Sequence, residues 1–99
     1  MLSIMKKTEG TKLIYVLTGR LDTTTSPELE NDIKTSIDGV TDLEFDFTDL
    51  EYISSAGLRV LLYTQKIMVK QGSMVVKNCN PEIIEIFEVT GFSEILTIE

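Results

Sequence analysis

Ninety-nine residues with 42% hydrophobic content suffice for one folded domain with its own core and are too apolar for a disordered chain. Sixteen acids against nine bases give a formal charge of -7, a surface that repels phosphate backbones and argues against nucleic-acid binding. Histidine is absent and Cys79 is the one cysteine, which removes the usual neutral-pH general base, a structural zinc site and any intrachain disulfide.

A lone cysteine suits a reducing compartment. Apolar runs of about five residues fall far short of a membrane span, and no Lys/Arg-led apolar stretch with a cleavage site opens the chain. The expectation is a cytoplasmic protein that does not insert into a membrane.

In chain order, Leu2, Ile4 and the residues to Lys7 predict a strand that turns at Glu9-Gly10. Leu13–Leu17 is a continuous β-rich apolar run ending at Gly19, expected as a strand buried on both faces. Ser26-Pro27-Glu28 is a helix start with Ser as the cap; Leu29, Ile33 and Ile37 mark one face, and Asp38-Gly39 closes it. Leu43–Thr48 alternates strictly and predicts a strand with one apolar face.

After it, EYISSAGLRVLL (residues 51–62) opens a second helix whose stripe is Leu58, Leu61, Leu62, Met68 and Val69, ending at Gln71-Gly72. Met74–Val76 is a further strand. Asn80-Pro81-Glu82 starts a third helix with Ile83, Ile86 and Phe87 buried, stopped by Gly91, and Ile95–Ile98 is a last strand. The order β-β-α-β-α-β-α-β makes an α/β domain over 1–99, a mixed sheet of about five strands with helices mainly on one face.

Sites in such sheets gather beyond the carboxyl ends of the strands. Here that edge is expected to bring together Asp22, Asp49, Ser54 and Ser55. Three readings of the serine pair stand open. A serine caps the helix by accepting a first-turn N–H, worth about 1 kcal/mol, although the Glu or Gln of a capping box is missing. Alternatively, Ser55 carries a phosphate, which free N–H donors and the positive helix end tolerate. A nucleophilic serine is the third, but no histidine is present to activate it and Gly-x-Ser-x-Gly is absent.

Asp22, within Gly19–Thr25, is either a loop-forming residue or a recognition residue. Asp46 reads as an outer-face residue and Asp49 as a turn residue; a divalent metal between Asp22 and Asp49 has only weak support. Tyr63, Lys66 and Lys70 form a solvated helix face that a partner could use. Cys79 lacks a basic neighbour and is expected to be unreactive.

The ordered set of motifs resembles the STAS domain proteins of bacteria, in particular the anti-sigma factor antagonists. Leu17-Thr18-Gly19-Arg20-Leu21-Asp22 is similar to the family's strand ending in Gly-x-Leu-Asp. The stretch from Phe45 to Leu58, with Ser55-Ala56-Gly57-Leu58 at its end, is similar to its strand, turn and Asp-Ser-x-Gly-Leu helix start. Gly72–Val76, Asn80-Pro81 and Gly91-Phe92 match the later elements, so the likeness covers nearly the whole chain.

The resemblance implies a STAS fold, no enzymatic activity and no cofactor. It makes Ser55 the phosphoacceptor, with Asp22 beside it helping to dock the kinase. Thr23, Asp49, Ser54, Ala56 and Gly57 complete the expected partner face. The implied partner is an anti-sigma factor that is also a serine kinase; binding frees its sigma factor, phosphorylation ends binding, and a PP2C-type phosphatase restores it. Ser54 stands where the family commonly has Asp, which removes a charge next to the acceptor. The alternative implied by the resemblance is an unphosphorylated STAS subunit of a membrane (lipid) transport or signalling complex.

Overall fold

A computed structural model describes residues 1–99. The elements are β1 (Leu2–Glu9), β2 (Lys12–Leu21), α1 (Ser26–Ser36), β3 (Asp42–Ile53), α2 (Ser55–Gln71), β4 (Ser73–Lys77), α3 (Pro81–Thr90) and a 3-10 turn at Phe92–Glu94. The sheet order is β1-β2-β3-β4, with β1 antiparallel to β2 and the other pairs parallel. The two crossovers, β2-α1-β3 and β3-α2-β4, step across the sheet in one direction. Sharing the right-handed sense, they put both helices on one face. No helix is long and apolar enough to cross a membrane.

Side-chain alternation determines which face the helices cover. Leu13, Tyr15 and Leu17 of β2, Leu43, Phe45 and Phe47 of β3, and Met74 and Val76 of β4 are buried with Leu29, Ile33, Leu61, Ile83 and Phe87 from the helices. Their neighbours Ile14, Val16, Glu44, Asp46, Val75 and Lys77 are half-exposed. The run Leu13–Leu17 is therefore buried on one face only. No helix returns to the other face, so its apolar residues stay partly wet.

β3 is longer than its alternation predicts. The register advances from Val16↔Asp46 to Thr18↔Asp49, and from Gly19↔Leu50 to Arg20↔Tyr52, so β3 carries one extra residue at each break. Bulges of this kind shift which side chain faces inward. Phe47, Leu50 and Ile53 are consequently buried at a spacing of three, and the strand runs on through the segment expected as a turn.

The expected fifth strand at Ile95–Ile98 is reduced to a single parallel bridge, Val76↔Ile98. Two hydrogen bonds hold it, from Val76 N–H to Thr97 O and from Glu99 N–H to Val76 O, both 2.9 Å. The 3-10 turn uses the residues before it and Leu96 is buried in the core, which leaves too little chain for a ladder.

Helix starts differ in chemistry. Asn80 caps α3 as expected: its Oδ1 accepts from Ile83 N–H at 2.9 Å, while its Nδ2 donates to Leu50 O at 3.1 Å. Ser26, by contrast, is the first residue of α1 and not its cap; its hydroxyl donates to Asp22 O at 2.6 Å. In α2 the buried stripe is Gly57, Leu58, Val60, Leu61, Thr64 and Met68. Val69, one residue (about 100° of helix) beyond Met68, is 70% exposed and lies outside it.

Candidate functional site

The ends of β2 and β3 run side by side, with Arg20 opposite Tyr52 and Leu21 opposite Ile53. One further bond, from Ser54 N–H to Leu21 O at 2.9 Å, carries the pairing past the strand ends. Asp22 and Ser54–Ser55 thus leave adjoining strands next to each other. This juxtaposition is the centre of the site.

Asp22 organises the loop that follows β2. Its Oδ1 accepts from Thr24 N–H at 3.0 Å, Thr25 N–H at 3.1 Å and the Thr24 hydroxyl at 2.8 Å. The Thr25 hydroxyl, in turn, accepts from Asp22 N–H and donates to Arg20 O, each at 2.8 Å. Bonding from the Thr24 hydroxyl, helped by the Thr24 and Thr25 N–H groups, holds the Asp22 carboxyl below the usual carboxylate range despite some desolvation. Its Oδ2 lies 3.9 Å from Arg20 Nε. The loop role of Asp22 is therefore realised, and it fixes a carboxylate beside the serines.

The serines divide the helix start between them. Ser54 is extended (φ -95°, ψ 175°) and its Oγ accepts from Gly57 N–H at a long 3.4 Å. Ser54 O accepts the first intrahelical bond, from Leu58 N–H at 2.9 Å. Ser55 is the first residue of α2, is exposed, and its hydroxyl bonds to no other group of the chain. Next to it the first N–H groups of α2 have no intrahelical acceptor, as at any helix start.

Gly57 is buried, not a surface contact. A Cβ there would lie 2.8 Å from Ile53 Cγ1 and 2.9 Å from Leu21 Cγ. Its small size lets α2 begin tight against the two strand ends, which sets where Ser55 emerges. Ala56 and Thr23 both line an open cavity of about 290 Å³, together with Ser26, Glu30 and Arg59.

Asp49 is not part of this cluster. It lies within β3 opposite Thr18, four residues or about 13 Å of extended chain before Ile53. It lines a separate polar depression with Arg20, Thr48, Glu51, Asn80 and Glu82. Nowhere does the fold gather three acids, histidines or cysteines that could hold a metal. Asp46 accepts from the Thr48 hydroxyl at 2.6 Å and from Asn78 Nδ2 at 3.1 Å, bonds that lower its carboxyl pKa. Cys79 is half-buried and burial pushes its thiol up to about 11, as suits an inert side chain.

Two arginines complete the site, and the sequence reading missed both. The Arg20 guanidinium sits 4.4 Å above the Tyr52 ring, lies within ion-pair distance of Asp22 and lines the depression that holds Asp49. Arg59 is exposed one helical turn beyond Ser55, with no acidic partner in the chain. The i, i+4 spacing of Ser55 and Arg59 was the available signal.

Comparison with known proteins agrees with this geometry. The sequence profile of the STAS domain matches residues 3–99. BtrV of Bordetella bronchiseptica, assigned as an anti-sigma factor antagonist, is 35% identical over 96 residues, 95% of this chain and 82% of its own length. The anti-sigma-B factor antagonist of Bacillus subtilis is 30% identical over 83 residues, covering 83% of this chain and 76% of its own. Among solved structures, an anti-sigma factor antagonist from Mycobacterium paratuberculosis superposes with a TM-score of 0.90 at 21% identity, over 99% of this chain and 85% of that one. SpoIIAA in its unphosphorylated form gives 0.78 at 19% identity, over 98% and 87%. The chain is a STAS domain protein of the anti-sigma factor antagonist family.

Proposed function

We propose that this protein is an anti-sigma factor antagonist whose partner contact is switched off by phosphorylation of Ser55. Unmodified, it binds an anti-sigma factor that is also a serine kinase and frees the sigma factor; a PP2C-type phosphatase reverses the modification. The observation that carries this reading is the exposed, unbonded Ser55 hydroxyl at the start of α2, beside the Asp22 carboxylate. SpoIIAA, a structural neighbour, has been solved in both unphosphorylated and phosphorylated forms.

The charge change supplies a mechanism. A phosphate adds about -1.5 to -2 charges to a surface already bearing Asp22 on a chain of formal charge -7. Uncapped N–H groups and the helix dipole stabilise it in place, so the fold survives. Docking would then bury a charge without a partner, a cost of several kcal/mol. Ser54, already accepting the Gly57 N–H, keeps the cap when Ser55 is modified.

The test is incubation with the purified anti-sigma kinase from the same genome and ATP, followed by mass spectrometry. The expected result is one phosphate, on Ser55, and none on Ser55→Ala. Phosphate on Ser54 alone, or no phosphate on the wild type, overturns the assignment.

A further inference from the structure

Between α3 and the end of β3 lies a groove of about 370 Å³ lined by Tyr52, Glu82, Glu85, Ile86, Val89 and Thr90. Positions 82, 85, 86 and 89 fall on one stripe of α3 by their three- and four-residue spacing. Ile83 and Phe87 are the fully buried residues of the helix, Ile86 packs against the core while staying partly exposed, and Val89 is 79% exposed. Val89, with Tyr52 and the accessible part of Ile86, gives the groove an apolar portion among its glutamates.

The electrostatics say what fits. Residues 78–99 contain five glutamates and no lysine or arginine. Glu82, Glu85 and Glu88 form no ion pair, and the last turn of α3 has no basic residue to offset its dipole. Tyr52 joins this groove to the Arg20–Asp22 cluster, because Arg20 lies on its ring and pairs with Asp22.

We propose that this groove is a second docking surface for the protein partner, taking an apolar side chain flanked by lysines or arginines. The inference rests on the antagonist reading for the partner's identity, but not on Ser55 modification. An acidic, apolar groove attracts such a segment over distance and then desolvates its anchor.

The test is a titration of the isotope-labelled full chain, followed by NMR, with a synthetic amphipathic peptide of leucine and lysine. A twin with glutamate for lysine is the control. The lysine peptide is expected to move the amides of Tyr52, Ile86 and Val89, and the glutamate twin to leave them in place. Val89→Ser, which removes the apolar contact without adding charge, and Glu85→Lys, with folding checked by circular dichroism, should each weaken the lysine peptide by about fivefold or more. Shifts spread evenly over the acidic surface, or unchanged affinity in Val89→Ser, overturn the proposal. The titration contains no kinase and no phosphate, so its failure is distinguishable from failure of the Ser55 assignment.

Discussion

Adjacent serines acquire different tasks because a helix start treats successive residues differently. The cap position has extended backbone and an oxygen aimed at the first turn; the next residue is helical and projects outward. Ser54 takes the first role and Ser55 the second. Asp22 illustrates the complementary point that a carboxylate can organise a loop and remain available on one oxygen. Its Oδ1 is engaged by Thr24 and Thr25, and its Oδ2 faces Arg20. Because those bonds favour the ionised form, its folded pKa lies below the unfolded value. The stabilisation is therefore present above the ordinary carboxylate range of about 4 and is lost as pH falls through the lowered folded value. Asp22→Asn should flatten the acid side of the stability-pH profile, with Asp32 and Asp46, also lowered, keeping part of the slope. Urea unfolding of both proteins between pH 2 and about pH 6 measures it; superimposable slopes would contradict the assignment.

At the scale of elements, the site exists because two strands end together and one helix begins close against them. Gly57 makes that closeness possible. Gly57→Ala gains about 1 kcal/mol in helix propensity, but its methyl meets Ile53 and Leu21 at 2.8 and 2.9 Å. Overpacking of this kind costs about 1–3 kcal/mol. We expect net destabilisation of about 1 kcal/mol or more, read as a lower urea midpoint with unchanged slope; a midpoint at or above wild type would show that α2 can move away freely. Elements with uninterrupted periodicity were legible in the sequence: α3 with its Asn80 cap and Gly91 stop, and the first part of β3. The second half of β3 was not, because two bulges replace the period of two with a spacing of three, and Asp49–Ile53 then resembles a turn. Asp49, expected as a turn residue, is in consequence a strand residue. Ser26 misled for another reason: Ser-Pro-Glu has the composition of a capped start, while Asp22, four residues earlier, accepts the loop's N–H groups.

For the whole molecule, one helical layer on one sheet face leaves the carboxyl edge as an open platform on a strongly acidic chain. The platform's centre was visible in the sequence as Asp22 and Ser55, since both sit at element ends that the hydrophobic pattern marks. Its flanks were not, because Arg20, Tyr52 and Arg59 acquire meaning only from pairings across strands or turns. A small added charge can act on such a platform without disturbing the core, since Ser55 is exposed at the first position of α2. The most direct measurement is calorimetric titration of the purified anti-sigma kinase from the same genome with unmodified and Ser55-phosphorylated protein. The account predicts binding of the unmodified form and affinity lower by about a hundredfold or more for the phosphorylated form, the equivalent of roughly 3 kcal/mol. Equal affinity of the two forms would contradict it.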